Sequence, residues 1–186
     1  MVKDQDFWYE DGNLVLAAGN RLFRLYRGLL ASRSPVFHAM VCSSSPKDEE
    51  SFDGCPVVHL SDTSYEIQHF LRALIPLPSI IPTAAIFAIA RLAHKYQADK
   101  LQCRALSCIQ EYYTTRFDAW ESKGLQGNVP FEKSSVPVYG IGAVNVARLT
   151  DTPSIRPLAF YDCCRLGGKV LEGVETRRRL GGALGR

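Results

Sequence analysis

A switch in hydrophobic period within residues 11–40 constrains this chain more than any other feature of its sequence. Residues 14–17 form a short apolar run, and Ala18-Gly19-Asn20 supplies a turn in which Gly and Asn tolerate positive φ. Over residues 22–26 the side chains alternate, Phe23 and Leu25 on one side and Leu22, Arg24 and Tyr26 on the other, as in a half-buried strand. The period then becomes helical. Leu29, Leu30 and Arg33 fit one helical turn, and Ser34-Pro35 reads as a restart, with Ser as cap and Pro at the first helical position. Val36, Phe37 and Met40 fall on one face of the second helix. A β-hairpin running directly into two short helices is the prediction.

Further along, residues 56–60 read as a short buried strand, preceded by a polar linker over residues 41–54. Thr63 and Glu66 have the spacing of a capping box, and Ile67, Phe70, Leu71 and Leu74 form an amphipathic stripe behind it. Ile86, Ile89, Ala90 and Ala93 repeat the stripe, widened by Phe87, with Arg91, His94 and Lys95 outward. Asp99 and Gln102 suit the start of a third helix carrying Leu101, Ala105, Cys108, Ile109 and Tyr112 on one face. Residues 124–137 read as a loop, and helices are expected around residues 141–148 and 154–164. A hairpin start followed by helices is an α+β arrangement.

The run Leu29-Leu30-Ala31-Ser32-Arg33-Ser34-Pro35-Val36-Phe37, standing after a hairpin, resembles the BTB (POZ) domain, a eukaryotic protein–protein interaction module. That family's pattern is an Asp-rich lead-in, a hydrophobic hairpin and a Leu-Leu-Ala-x-Arg-Ser-Pro-x-Phe run, and the likeness extends to about residue 115. Two departures stand out: the family usually has His where this chain has Tyr26, and Tyr where it has Ile75-Pro76-Leu77-Pro78, which implies a remodelled loop. Residues 153–162, reading Pro-Ser-Ile-x-Pro-x-Ala-Phe-Tyr-Asp, resemble a helical extension common in BTB proteins of mushroom-forming (basidiomycete) fungi. The resemblance implies a small β-sheet packed against a cluster of α-helices, with a C-terminal helical extension. The expected organisation is a BTB/POZ domain over residues 1–116, the extension over 117–165 and a disordered Gly/Arg-rich tail over 166–186.

Composition agrees with a globular chain: 186 residues, 46% hydrophobic and 22% charged. Residues 1–13 carry Asp4, Asp6, Glu10 and Asp11 without an apolar segment, unlike a signal peptide. The longest apolar run, residues 80–90, contains Pro82 and is too short to span a bilayer, so a cytoplasmic or nuclear location is expected. Six Lys/Arg against two Asp/Glu fall in residues 165–186, so the net charge of +3 belongs to the tail and the folded part offers no nucleic-acid signature. The six cysteines lack Cys-x-x-Cys spacing and are expected as reduced, buried thiols. No Gly-x-Ser-x-Gly elbow or His-Glu-x-x-His pattern occurs, and the four histidines are scattered; no catalytic, metal or cofactor residue is expected. An enzyme with a Cys/His pair assembled in space is the competing class.

The expected function is an interaction module that forms a homodimer and recruits other proteins. Core packing claims at least half of the face offered by Leu29, Val36, Phe37 and Met40. The resemblance implies that the first helices and the N-terminal segment also build a two-fold interface. Phe7, Trp8, Tyr9, Leu29, Val36 and Phe37 are the candidates for it. The resemblance further implies two uses, substrate adaptor for a cullin-type ubiquitin ligase or oligomerising arm of a transcriptional or nuclear regulator. Cullin docking would fall between Met40 and Phe52, where no hydrophobic-x-Glu motif is evident.

Overall fold

The computed structural model describes residues 1–43, 50–75, 85–119, 121 and 136–168. The chain divides into two compact units, Met1–Leu106 and Ser107–Arg186.

The first unit is built on a mixed five-stranded sheet in the order β1-β3-β2-β5-β4. The predicted hairpin forms its centre: β2 (Leu14–Ala18) pairs antiparallel with β3 (Arg21–Leu25), from Leu14 opposite Leu25 to Ala18 opposite Arg21. That register leaves Gly19 and Asn20 as the turn, and only Gly19 adopts positive φ, at 57°. On its other side β2 runs parallel to β5 (Cys55–Leu60). All five residues of β2 are buried, as expected of a strand covered on both faces. The two-residue β4 (Ser51–Phe52) closes one edge against β5, and β1 (Val2–Trp8) closes the other, parallel to β3.

Helices cover this sheet as the sequence pattern demands. After α1 (Arg27–Arg33), Ser34 caps α2 (Pro35–Ser43), its Oγ accepting from the Phe37 amide at 3.1 Å and donating to the Tyr96 carbonyl. The capping box of α3 (Ser64–Leu74) is present in full, Thr63 and Glu66 bonding reciprocally. Its stripe of Ile67, Phe70, Leu71 and Leu74 is buried, as are Ile86, Ile89, Ala90 and Ala93 of α4 (Ile86–Lys95). Between them Phe37 stacks on Tyr96, ring centroids 4.5 Å apart, with Phe70 centred 5.5 Å from Tyr96. Burying a ring of this size stabilises the fold by about 2–3 kcal/mol, so this trio anchors the helices.

On α5 (Asp99–Tyr112) the inward positions are Leu101, Ala105 and Ile109, continued by Tyr113 just beyond the helix. In the second unit α6 (Val136–Leu149) meets α7 (Arg156–Arg165), which follows a 3₁₀ turn at Pro153–Ile155. The contact is close because of Gly140: a Cβ there would lie 2.9 Å from the Ala159 carbonyl oxygen.

Several expectations change. The acidic lead-in, for which no element is predicted, forms β1, with Phe7 buried against Phe23, centroids 6.4 Å apart. The polar linker is shorter than expected: α2 continues to Ser43 and keeps Val41 buried, Ser51–Phe52 is a strand, and residues 44–49 lie outside the described ones. Of the loop expected at 124–137, residues 136 and 137 begin α6 instead, and the rest lies outside the described residues. So do the Pro-rich residues 76–84 and the tail from residue 169. The thiols are free but not generally buried. Only Cys55 is buried; Cys42, Cys103, Cys108 and Cys164 are exposed, because each lies off the inward stripe of its helix.

Candidate interaction surface

The N-terminal strand is held in place by one buried carboxylate. Asp4 accepts from the Asp6 and Phe7 amides at 3.0 and 3.1 Å, from Arg21 Nη1 at 2.8 Å and from Gln68 Nε2 at 3.2 Å. These bonds tie β1 to β3 and α3 at once. A fully hydrogen-bonded carboxylate is tolerated inside a fold, and here it fixes which side chains of β1 face outward.

At the far end of β1 the chain delivers Trp8 to the edge of the sheet. Trp8 meets Phe52 of β4 edge to face at 5.9 Å, over a buried base of Val15, Ala17, Leu22 and Cys55. Lys3 Nζ lies 4.4 Å from the Trp8 ring centre and 5.4 Å from that of Phe52, a cation–π arrangement, and pairs with Asp53 at 3.1 Å. Next to it Tyr9 stacks on Tyr26 at 5.1 Å, and Tyr26 donates to Asp11 at 2.6 Å. That bond to a carboxylate raises the Tyr26 pKa above its ordinary value. Tyr26, where the family usually has His, thus makes its polar contact at the surface. Asn13 Oδ1 accepts from the Arg27 amide at 2.8 Å and so caps α1 from the strand side.

The candidate interface residues therefore separate into two sets. Phe7 and Phe37 have no exposed surface: Phe7 is spent against Phe23, and Phe37 against Tyr96 and Phe70. They belong to the core, a correction to their expected interface role. Trp8, Tyr9, Leu29 and Val36 remain half-buried, with area to offer a second surface. Of the two docking candidates, the half-buried Phe52 joins Trp8, while Met40 stays half-buried on α2. Sequence reading missed Asp4 as an anchor, because a buried aspartate in an acidic lead-in has no distinguishing spacing. Strand alternation gives no signal either, because Asp4 and Phe7, the buried residues of β1, stand three apart, out of phase with a two-residue repeat.

Among the described residues one cysteine and one histidine come close. Cys42 Sγ lies 3.8 Å from His38 Nε2, one turn apart on α2, both exposed. Among the described residues no third group orients that imidazole. Nor, among them, could any cluster of three or more His, Cys, Asp or Glu hold a metal ion, and no helix is long and apolar enough to cross a membrane.

With hairpin, sheet order and helix set in view, the sequence profile of the BTB/POZ domain matches residues 9–112. The chain belongs to the BTB/POZ family. Such domains are in general protein–protein interaction modules that mediate oligomerisation and partner binding, and are not typically enzymes. No curated protein matches the chain.

Proposed function

We propose that this protein is a non-enzymatic scaffold that self-associates through the outer strand β1 and α1–α2 and recruits other proteins through its remaining surface. The observation that carries the reading is the partly exposed aromatic set at the end of the outer strand β1, Trp8 packed on Phe52 of β4 and Tyr9, just past the strand, stacked on Tyr26 before α1. An outer strand presents unpaired backbone groups, and rigid aromatics beside it supply contact area at low entropic cost. Trp8, Tyr9, Leu29 and Val36 would form the contact, with Phe7 and Phe37 supporting it from beneath. The BTB/POZ domain would span residues 1–116 and the helical extension 117–165, the latter holding substrates if the module serves a cullin-type ubiquitin ligase inside the cell, in cytoplasm or nucleus. In that use Met40 and Phe52 would flank the cullin contact. The Arg177-Arg178-Arg179 run favours the second use, as the oligomerising arm of a nuclear regulator.

Light scattering of the purified chain tests the reading: a dimer is expected at micromolar concentration. Trp8→Glu combined with Val36→Glu should convert it to a monomer with an unchanged circular dichroism spectrum. A wild-type protein that stays strictly monomeric would sink self-association, and failure to retain purified cullin would remove the adaptor role alone.

A further inference from the structure

In the first unit, nearly every cation has been given something to hold. Among residues 1–106, Lys3, Arg21, Arg72, Arg91 and Lys95 each pair with a carboxylate. Arg24 and Arg27 donate to the carbonyls of Gly12 and Val41 at 2.8 and 3.0 Å. Arg33, Lys100 and Arg104 are the exceptions among the described residues, exposed and with no hydrogen bond or ion pair. All three line one groove of about 870 Å³, where the α1–α2 junction faces the end of α3 and the start of α5.

Two further properties of this groove, its floor and its lack of stacking rings, narrow what it can hold. Its floor is apolar and small, with Leu74, Ala98 and Leu101 buried behind Ala31. The N-termini of α2 and α5 and the C-termini of α1 and α3 all reach its lining, so helix dipoles of both signs meet there and the three side-chain cations set its charge. Among the described residues Asp99, in the first turn of α5, is the one carboxylate in the lining, and His38 adds an imidazole. Among the described residues the lining has no Phe, Tyr or Trp on which a nucleobase could stack, which disfavours single-stranded nucleic acid. An extended peptide with carboxylates flanking short apolar side chains matches both the walls and the floor, and the volume lies within the range of specific clefts.

We infer that the groove between the α1–α2 junction and the start of α5 is a docking site for an acidic peptide segment of a partner protein, held by Arg33, Lys100 and Arg104. The inference rests on the reading of the chain as a recruiting module and names the chemistry of what it recruits. Self-association uses other residues, so the two can fail separately.

The test uses the full chain and a fluorescein-labelled peptide, Leu-Asp-Glu-Leu-Glu-Glu, followed by fluorescence anisotropy at rising salt. A control peptide carries Asn and Gln in place of Asp and Glu. The acidic peptide should bind and weaken with salt, and the neutral one should not. Arg33→Glu with Arg104→Glu should weaken binding by roughly tenfold or more while leaving the melting temperature and light-scattering mass unchanged. Lys100→Gln, milder and exposed, should weaken it in the same direction, so the result does not depend on one variant folding. Equal binding of both peptides, or binding indifferent to these variants, would overturn the inference and leave a dimer standing. A single-stranded oligonucleotide that displaces the peptide and loses its own binding in the double variant would overturn it in favour of nucleic acid. A monomer whose groove still binds the acidic peptide in this residue-dependent way would support the groove and refute self-association.

Discussion

Asp62 in the first unit and Asp162 in the second are both buried, yet their surroundings treat the charge in opposite ways. Asp62 accepts from Lys95 Nζ at 2.6 Å, from the Tyr96 hydroxyl at 2.7 Å and from Arg91 Nη1 at 3.3 Å, while Arg91 also reaches Glu66 at 2.8 Å. Among the described residues Asp162 has only Arg165, 3.5 Å from one oxygen and mostly exposed. Among the described residues its Oδ2 has no hydrogen-bond partner, and neither does the buried hydroxyl of Tyr113. Burial pushes the Asp62 carboxyl up, but the bonds from Lys95 and Tyr96 and the charges of Lys95 and Arg91 outweigh it and hold the group below its ordinary value. At Asp162 burial prevails over Arg165, and the pKa rises. The same residue type at similar depth is a closed structural element in one place and an unsatisfied charge in the other.

The sharpest way to break this contrast is Asp62→Ala. It leaves the buried Tyr96 hydroxyl without its acceptor and takes a partner from Lys95 and Arg91, which water still reaches, and should destabilise the first unit by about 2–3 kcal/mol, read by urea denaturation. Because the folded pKa of Asp62 lies below its unfolded value, its contribution is present above the unfolded pKa and is lost as pH falls through the folded one. The wild-type advantage over Asp62→Ala should therefore shrink in acid. If the gap stayed constant below the ordinary carboxylate range, the network would not be electrostatic in origin.

Next in size is Gly140→Val, which confines the damage to the second unit. Even a Cβ would sit 2.9 Å from both the Ala159 carbonyl oxygen and Asp162 Cβ, so α6 and α7 must separate. A loss of about 1–3 kcal/mol is expected, with Gly140→Ala toward the lower end. Hydrogen exchange should show α6 and α7 opening more readily.

Asp162→Asn then runs opposite to Asp62→Ala. The folded pKa of Asp162 is raised, so in the wild type stability falls as pH climbs from the unfolded pKa toward the folded one. Removing the charge should stabilise the second unit at neutral pH by on the order of 1 kcal/mol and change little in acid, where both states are protonated. A neutral-pH loss of stability would show that the Arg165 pair outweighs desolvation.

This contrast also marks how far the sequence could be read. The hairpin, the Ser34 cap, the Thr63–Glu66 box and the stripes of α3 and α4 are local patterns, and local spacing specifies them. Which carboxylate closes a network is not local: Asp62 meets Tyr96 across 34 residues, and Asp4 meets Gln68 across 64. Two of the six interface candidates show the same limit. Phe7 and Phe37 look like Trp8 and Tyr9 in sequence, and only the partners Phe23 and Tyr96, brought in by the fold, decide which aromatics are spent inside. The groove was equally hidden, since Arg33 and Lys100 differ from Arg21 and Lys95 only in lacking a carboxylate at hand.

Arg165→Gln probes the smaller side of the comparison. Arg165 is the only cation given to Asp162 among the described residues, but its side chain is 54% exposed and the contact is long, so water screens most of the attraction. Losing it should cost less than about 1 kcal/mol at neutral pH, far below the loss at Asp62. Its electrostatic signature is clearer than its energy. Arg165 is the influence that lowers the Asp162 pKa, so its removal leaves burial unopposed and the folded value moves further up. The pH range over which the second unit weakens must then widen upward, because stability falls wherever the folded state binds more protons than the unfolded one. Carboxyl-detected NMR titration of the two proteins checks this directly. A midpoint that stayed put would mean that another group, not Arg165, sets the charge of Asp162, and the distinction between a network and a lone pair would have to be redrawn.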